Sequence, residues 1–179
     1  MFKSIQWKLV LMFVLLVISV MIIVGTLLKN SVSTFYHQEF KSLMETELKN
    51  GDFVKSIEKD LANPEFIDKV TSDSIYTMLT SLVGRLGLDS SRNYYVLDGE
   101  VGKILKRSSN ESQDNFFVTD NIIAALNGKV GDVVENEFKY MDYAVPLASE
   151  GKVKYIIYIK DTKDELTEMM SEINNFIFQ

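Results

Sequence analysis

Residues 141–160 read MDYAVPLASEGKVKYIIYIK, and they decide the fold because two strand patterns flank a short polar turn. Aromatic and β-branched residues dominate both patterns, which predicts strands at 141–148 and 153–160. The run YIIYI at 155–159 is apolar on both faces, which is typical of a strand in the centre of a sheet. Pro146 cannot donate a ladder hydrogen bond, so we expect the first of the two strands to lie at an edge or to contain a bulge.

Three more strands are predicted upstream of this hairpin. Residues 93–98 read NYYVLD and end in the hairpin signal Asp98-Gly99, so the chain is expected to return as a strand over 101–107. Residues 130–138 form the remaining strand pattern and lead directly into the hairpin. The sequence therefore predicts a five-stranded antiparallel sheet.

Helical periodicity covers most of the remaining chain. Apolar residues recur every three or four positions in three stretches before the sheet, at 28–48, 53–61 and 66–86. A short helix is expected to begin at a Thr119 or Asp120 cap and to end at Gly128. A last amphipathic helix follows the sheet from Asp161 or Thr162. Helices outside an antiparallel sheet predict the α+β class.

Residues 9–28 carry no charged side chain and follow Lys3 and Lys8. Twenty helical residues at about 1.5 Å each span roughly 30 Å, the thickness of a bilayer's hydrocarbon core. We therefore predict a transmembrane helix that continues outward to residue 48. A cleaved signal peptide is the alternative, but its apolar stretch is shorter, and residues 29–32 offer no clear cleavage signal.

Charge fixes the expected orientation and domain order. The basic residues before the apolar run favour a cytoplasmic N-terminus in the cell membrane, with the chain from about residue 29 outside the cytoplasm. The predicted segments are a cytoplasmic tail at 1–8, the transmembrane helix at 9–28, an extracytoplasmic domain at 29–160 and an exit helix at 161–179. Residues 174–179, NNFIFQ, carry no charge and suggest the first turn of a second transmembrane helix; the alternative is an amphipathic helix that ends in a membrane-touching tail.

Composition excludes several classes of function. The chain has 25 acidic and 19 basic side chains and a net charge of −6, which argues against nucleic acid as a partner. Cysteine is absent, so disulfides, thiolate catalysis and cysteine-ligated metal are excluded. His37 is the only histidine and is expected on a helix surface, where a lone histidine completes neither a metal site nor a triad. We therefore predict no catalytic residue, metal or cofactor.

Both ends of the chain are similar to one family. FKSIQWK at residues 2–8, followed by the apolar run, resembles the opening of the WalK sensor histidine kinases of low-GC Gram-positive bacteria, also called YycG or VicK. YAVPL at 143–147, the strand at 153–160 and the helix after it resemble the end of the same ectodomains. The order of elements resembles PAS-like single Cache domains throughout, although the middle of the sequence departs freely.

This resemblance implies an ectodomain of a homodimeric receptor whose kinase domains lie beyond residue 179. It also implies that a small ligand is held at the sheet face and the loops over it. Related ectodomains occur on chemoreceptors and cyclic-dinucleotide enzymes, so the resemblance does not fix the output domain.

Aromatic and charged residues gather on the predicted sheet face and the loops over it: Arg92, Tyr94, Tyr95, Arg107, Tyr140, Asp142, Tyr143, Tyr155 and Tyr158. We select Arg107 and Asp142, with Tyr94, Tyr143 and Tyr158, as candidate ligand-binding residues. Arginine can grip a carboxylate with two hydrogen bonds and tyrosines supply apolar walls with a hydroxyl, so the set suits a small anion or an amino acid. The alternative is that most of these tyrosines pack in the core or its rim.

The functional prediction is a membrane-anchored sensor of a two-component histidine kinase that relays an envelope stimulus through its bracketing helices. Its expected partners are the lipid bilayer, a second copy of the chain and an unknown small ligand or envelope protein. A membrane-tethered hydrolase is a rival that lacks a nucleophile, base and metal set. A membrane-tethered envelope adaptor is a second rival.

Overall fold

The computed structural model describes residues 5–87, 92–108, 116–133 and 140–178. The helices and strands in chain order are α1 Ile5–Met44, α2 Asp52–Leu61, α3 Ser72–Ser81, β1 Arg92–Asp98, β2 Ile104–Arg107, α4 Asp120–Leu126, β3 Met141–Ser149, β4 Lys152–Asp161 and α5 Asp164–Phe178. The mixture of helices and an antiparallel sheet confirms the α+β class. The chain divides into two compact units, one of residues 1–36 with 165–179 and one of residues 37–164.

The first unit contains most of α1 and nearly all of α5. From Leu9 to Leu28 the large apolar side chains of α1 are exposed, and within the described residues this is the one helix long and apolar enough to cross a membrane. The helix continues without a break to Met44 and is followed by a π-helical turn at Glu45–Lys49. The predicted continuation of the apolar helix to about residue 48 is therefore confirmed.

The second unit is built on a sheet with strand order β2-β1-β4-β3, antiparallel throughout. β4 pairs with strands on both sides, and residues 156–159 are buried, which confirms the central strand predicted from YIIYI. β3 lies at the edge of the described sheet, where Pro146 stands opposite Ile156 and the register shifts between Leu147 and Ala148. Both features that Pro146 predicted are present.

The fifth predicted strand lies mostly outside the described residues. Of residues 130–138, only those up to Val133 are described, and Gly131 forms an isolated antiparallel bridge with Ala144. Gly131 thus lies beside β3, the strand that follows it along the chain.

Three element boundaries differ from the prediction. The helix predicted at 66–86 is instead a 3₁₀ turn at Ile67–Lys69 followed by α3, because Thr71 and Ser74 form a capping box that starts a new helix. β2 begins at Ile104 and not at residue 101, since the carboxylate of Asp98 accepts the amides of the two residues after Gly99 and extends the turn. α5 begins at Asp164, because β4 continues through Asp161.

Helices cover both faces of the sheet. On one face α4 packs on β3 and β4 around the buried residues Tyr95, Leu97, Ile122, Ala125, Ala144, Ile156 and Tyr158. On the other face α3 packs on β1, where the Tyr94 hydroxyl lies 3.0 Å from the Thr80 hydroxyl. We call these the α4 face and the α3 face. Phe40 and Met44, at the end of α1, are fully buried.

Candidate functional site

The alternation of side chains along the strands separates the residues predicted to bind a ligand. Tyr158 pairs with Tyr95 and Ala144, both in the cluster beneath α4, and Asp142 points to the same side because it lies two residues from Ala144. Tyr94 and Tyr143 point to the α3 face. The structure therefore brings Asp142 and Tyr158 together and places the other two tyrosines across the sheet.

Arg107 shares the α4 face with Asp142 and Tyr158, because it pairs with Tyr95, but it lies at the opposite edge of the described sheet from Asp142. It ends β2, the other edge of the sheet, where it pairs with Tyr95 and is exposed to solvent. It lines an open surface groove of about 340 Å³ together with Ile104, Leu105 and Lys106. Sequence alone could not place Arg107 relative to Asp142, because strand order decides which edge each strand occupies.

Hydrogen-bond donors from the protein surround the Asp142 carboxylate. The Thr119 hydroxyl donates to Oδ2 at 2.6 Å, the Asn121 amide donates to Oδ1 at 2.8 Å, and Tyr158 adds a side-chain hydrogen bond. Asn121 also donates to the carbonyls of Asp142 and Val133 and accepts the Val133 amide. The carboxylate thus ties the start of α4 and residue 133 to β3.

The electrostatic environment of the Asp142 carboxylate differs from that of an ordinary surface carboxylate. Burial raises the pKa of Asp142, and the hydrogen bonds from Thr119 and Asn121 oppose that rise. The positive charge of Lys160 opposes it as well. Burial, and then the negative charge of Asp142, raise the pKa of Tyr158, so its phenol stays protonated and can donate. Sequence analysis missed Asn121 and Lys160 as partners of Asp142, and it treated Thr119 only as a helix cap.

Aromatic rings flank this network on its solvent side. Phe116 contacts Tyr95 and Tyr158 with ring centroids 5.7 and 5.9 Å apart. Phe117 and Tyr140 form an edge-to-face pair at 5.5 Å, and the Lys160 ammonium lies 5.7 and 5.5 Å from their ring centroids. Phe117 is half exposed. The surface above Asp142 thus offers exposed aromatic area beside the Lys160 ammonium, which can hold a ligand.

On the α3 face, Tyr94 and Tyr143 are both buried. Tyr94 stacks obliquely on Tyr76 with ring centroids 5.4 Å apart. Tyr143 is fully buried, and burial together with the nearby charges of Asp132 and Glu45 raises its pKa. Their positions match the core-packing alternative considered from the sequence.

A second buried polar group lies on the α3 face, where β1 begins and β4 ends. The guanidinium of Arg92 donates from Nε to Asp161 at 2.7 Å and from Nη2 to Glu39, on α1, at 3.1 Å. Burial lowers the pKa of Arg92, but the hydrogen bond and charge of Asp161 and the charge of Glu39 outweigh this, so its pKa is raised. Sequence analysis placed Arg92 among the site candidates and overlooked both acids, because only strand register sets Arg92 opposite Asp161.

The remaining observations concern His37, metal binding and cavities. His37 is buried, which corrects the predicted surface position. Within the described ranges no group of three histidine, aspartate or glutamate side chains could hold a metal ion. A partly open pocket lined by α2, α3 and the segment between them measures about 90 Å³, well below the roughly 300–1,000 Å³ of typical ligand pockets.

Neither a protein-family model nor a curated protein matches the chain. Among solved structures, the chain is similar to the sensory domain of the Campylobacter jejuni chemoreceptor Tlp3 with isoleucine bound, at 17% identity and a TM-score of 0.41, covering 80% of this chain and 66% of that one. It is also similar to the ligand-binding domain of the same receptor in complex with L-valine, at 17% identity and a TM-score of 0.40, with the same coverage. The chain thus spans just under two thirds of these domains. TM-scores near 0.4 do not establish a common fold.

Proposed function

We propose that this chain is the membrane-anchored sensor region of a signalling protein. The observation that carries the proposal is the continuity of α1. One unbroken helix begins with an exposed apolar run long enough to cross a bilayer and ends in side chains that are fully buried in an α+β unit, Phe40 and Met44. A helix of this kind can pass a displacement in the folded unit to the membrane, because a helix without proline curves only gently and α1 contains no proline.

In the same proposal, α5 carries the signal from the folded unit back toward the membrane. β4 is the central strand, and only two residues separate its end from α5. A stimulus that changes the packing of the folded unit would shift α5 relative to α1. To contribute about 2.7 kcal/mol to such a switch, a ligand must bind one arrangement about 100-fold more tightly than the other, so it must contact parts that differ between the two.

For the whole protein we propose a WalK-like sensor histidine kinase acting as a homodimer, with the N-terminus in the cytoplasm. The basic residues before the apolar helix and the resemblance at both ends of the chain support this assignment. The chain itself then acts without catalysis, and the catalytic domains lie beyond residue 179. A chemoreceptor or a cyclic-dinucleotide enzyme would use the same sensor with another output domain.

We place the proposed ligand contact on the α4 face. Asp142 and Tyr158 form its buried base, and Phe117, Tyr140 and Lys160 surround it on the solvent side. Since the donors around Asp142 already satisfy its oxygens, a small ligand would act by rearranging this network and would meet the rim residues first. An envelope protein that covers the exposed aromatic surface is the alternative partner.

The reading frame after Gln179 tests the assignment to a receptor. We expect about 15 further apolar residues, then a linker of the HAMP type and a His-Glu-x-x-Pro motif. A stop codon at that point would contradict the kinase and favour a membrane-tethered adaptor.

Single cysteines introduced at Lys3 and at Lys41 test the orientation, because the chain contains no other cysteine. An impermeant thiol reagent added to whole cells should label the cysteine at position 41 and not the one at position 3.

Thermal-shift screening of the full chain in detergent tests the ligand. A binding small molecule raises the unfolding temperature in proportion to the logarithm of its concentration. The matched variant Lys160→Met keeps the length of the side chain and removes the cation, so it should weaken stabilisation by an anionic ligand. Absence of stabilisation by amino acids and small anions would favour a protein partner.

A further inference from the structure

The ion pairs of Arg92 lie where α1 and α5 join the folded unit. Glu39 lies one turn before the end of α1, and Asp161 is the last residue of β4, three positions before α5 begins. Arg92 bonds to both, although it is 53 residues from one and 69 from the other along the chain. One side chain thus connects the helix that enters this unit with the strand that leaves it.

Asp161 also fixes the linker that leads to α5. Its Oδ1 accepts the backbone amide of Lys163 at 2.7 Å, while its Oδ2 accepts Arg92. Lys163 has a φ of 60°, a left-handed conformation that a lysine seldom adopts and that local hydrogen bonds must hold in place. The conformation of the linker at residues 162–163 therefore depends on a carboxylate that Arg92 bonds.

The surroundings hold the guanidinium in one place. Arg92 and Asp161 are buried, and the guanidinium lies 5.6 Å from the centre of the Phe40 ring. Gly87 has a φ of 59°, and a β-carbon at this position would lie 2.5 Å from Nη1 of Arg92. The fork geometry of arginine allows two carboxylates to be bonded at once, which the single ammonium of lysine cannot reproduce in the same directions.

We propose that Arg92 is a positioning residue that couples the position of α1 to the conformation of the linker at residues 162–163. This inference rests on the proposed function, because it names the element through which the folded unit would transmit a signal. Glu39 sets the orientation of the guanidinium, Arg92 holds Asp161, and Asp161 holds the amide of Lys163. A displacement of α1 therefore changes the linker without any direct contact between Glu39 and Lys163.

Hydrogen exchange measured on the full chain in lipid nanodiscs tests this coupling. Glu39→Ala removes one end of the chain of contacts and keeps a helix-forming residue. We expect the amide of Lys163 to exchange at least about fivefold faster, the lower end of typical coupling between sites, while amides in the middle of the β3–β4 ladder exchange as in the wild type. Arg92→Lys keeps the charge but not the fork and should have the same local effect.

Glu47→Ala is the matched control. It removes another glutamate that bonds an arginine at 2.7 Å, Arg85, but that pair does not touch Asp161. The coupling is refuted if Glu39→Ala leaves the exchange of Lys163 unchanged, if the control accelerates it equally, or if exchange rises throughout the sheet, since a general rise means that Glu39 only stabilises the fold. The orientation and reading-frame tests can fail while this local effect is observed, so the two proposals are tested separately.

Discussion

Asp142 and Asp161 are both buried carboxylates on adjacent strands, and their environments are opposite. Asp142, on the α4 face, is 6% exposed and is bonded by neutral donors that lie within 23 residues along the chain. Asp161, on the α3 face, is fully buried and is bonded by an arginine 69 residues away and by a backbone amide. One network secures a local helix, and the other joins distant parts of the fold.

The contrast shows two ways of compensating a buried charge. Neutral donors leave much of the cost of desolvation in place, so the pKa of Asp142 is raised. An arginine offsets that cost with an opposite charge, but it makes each partner depend on the other, since either one alone would remain buried and charged. Protonation of Asp142 can therefore change the charge of its network while the neutral donors stay in place. In the ion pair, loss of either Arg92 or Asp161 leaves the other side chain buried and charged.

The largest effect is expected at the ion pair. Arg92→Met leaves Asp161 buried without its counter-charge and should lower the free energy of unfolding by about 3–5 kcal/mol. Chemical denaturation of the full chain, followed by circular dichroism, measures this loss. A loss below about 1 kcal/mol would mean that water or another group compensates Asp161, and the contrast between the two networks would disappear.

A smaller loss is expected at the network of neutral donors. Asp142→Ala removes the acceptor of the Thr119 hydroxyl and one of the acceptors of the Asn121 amide, which keeps the carbonyls of Val133 and residue 142. It should cost about 1–3 kcal/mol, because the buried Thr119 hydroxyl loses its acceptor. Asp142→Asn keeps one oxygen acceptor and should cost less. The same denaturation experiment ranks the two variants, and an equal cost would show that the hydrogen bonds do not determine the stability of this site.

The difference in stability between the wild type and Asp142→Asn, measured as a function of pH, separates the effect of the charge from that of the hydrogen bonds. The unfolded carboxyl titrates near its ordinary value of 3.8, and burial raises the folded pKa above it. Between these two values the folded state binds more protons than the unfolded state, so the contribution of Asp142 to stability falls as the pH rises through that window. The stability difference between wild type and variant should therefore be larger near about pH 4 than near about pH 7; the opposite trend would contradict the raised pKa.

Alanine substitutions at Gly87 and Gly84 test how tightly the Arg92 side chain is held in place. Gly87→Ala should cost about 1–2 kcal/mol, because the backbone is left-handed there and the new methyl group would meet the guanidinium. Gly84 lies in the same turn with open space around its α-carbon, so Gly84→Ala is the matched control and should change stability little. Thermal unfolding of both variants measures the difference, and equal values would show that the arginine tolerates displacement.

The smallest effect is expected at the surface. Arg85→Met breaks an ion pair with Glu47 that is as short as the buried one, but the Arg85 side chain is 68% exposed. Exposed pairs contribute about 0–1 kcal/mol, so the variant should unfold almost as the wild type does. A loss comparable to that of Arg92→Met would show that burial does not explain the difference between the pairs.

Local sequence patterns predicted most elements of this fold. The apolar period of α2, the strand propensity of β1 and the Thr119 cap of α4 depend on neighbouring residues, and each element was found where its pattern indicated. The errors also have local causes. Thr71 ended one helix and started another, and the carboxylate of Asp98 lengthened a turn. Such side-chain bonds compete with periodicity and are visible only when each is considered individually.

The candidate site was predictable only in part. Asp142 and Tyr158, two of the five candidates, lie on a common face, because alternation places residues of paired strands in this way. Tyr94 and Tyr143 belong to the other face, since a shift of one residue along a strand reverses the side chain. Strand register cannot be derived from composition, so the sequence did not show which face of the sheet each of the five candidates occupies.

By itself the sequence determined that this protein has an apolar helix long enough to cross a bilayer, an α+β fold and a central strand at YIIYI. These features follow from hydropathy and from the spacing of apolar residues, which are local properties of the sequence. The tertiary structure alone decided which buried acid meets an arginine. Glu39, Arg92 and Asp161 are far apart in the chain, and only the packing of α1 and the pairing of β1 with β4 bring their charges together.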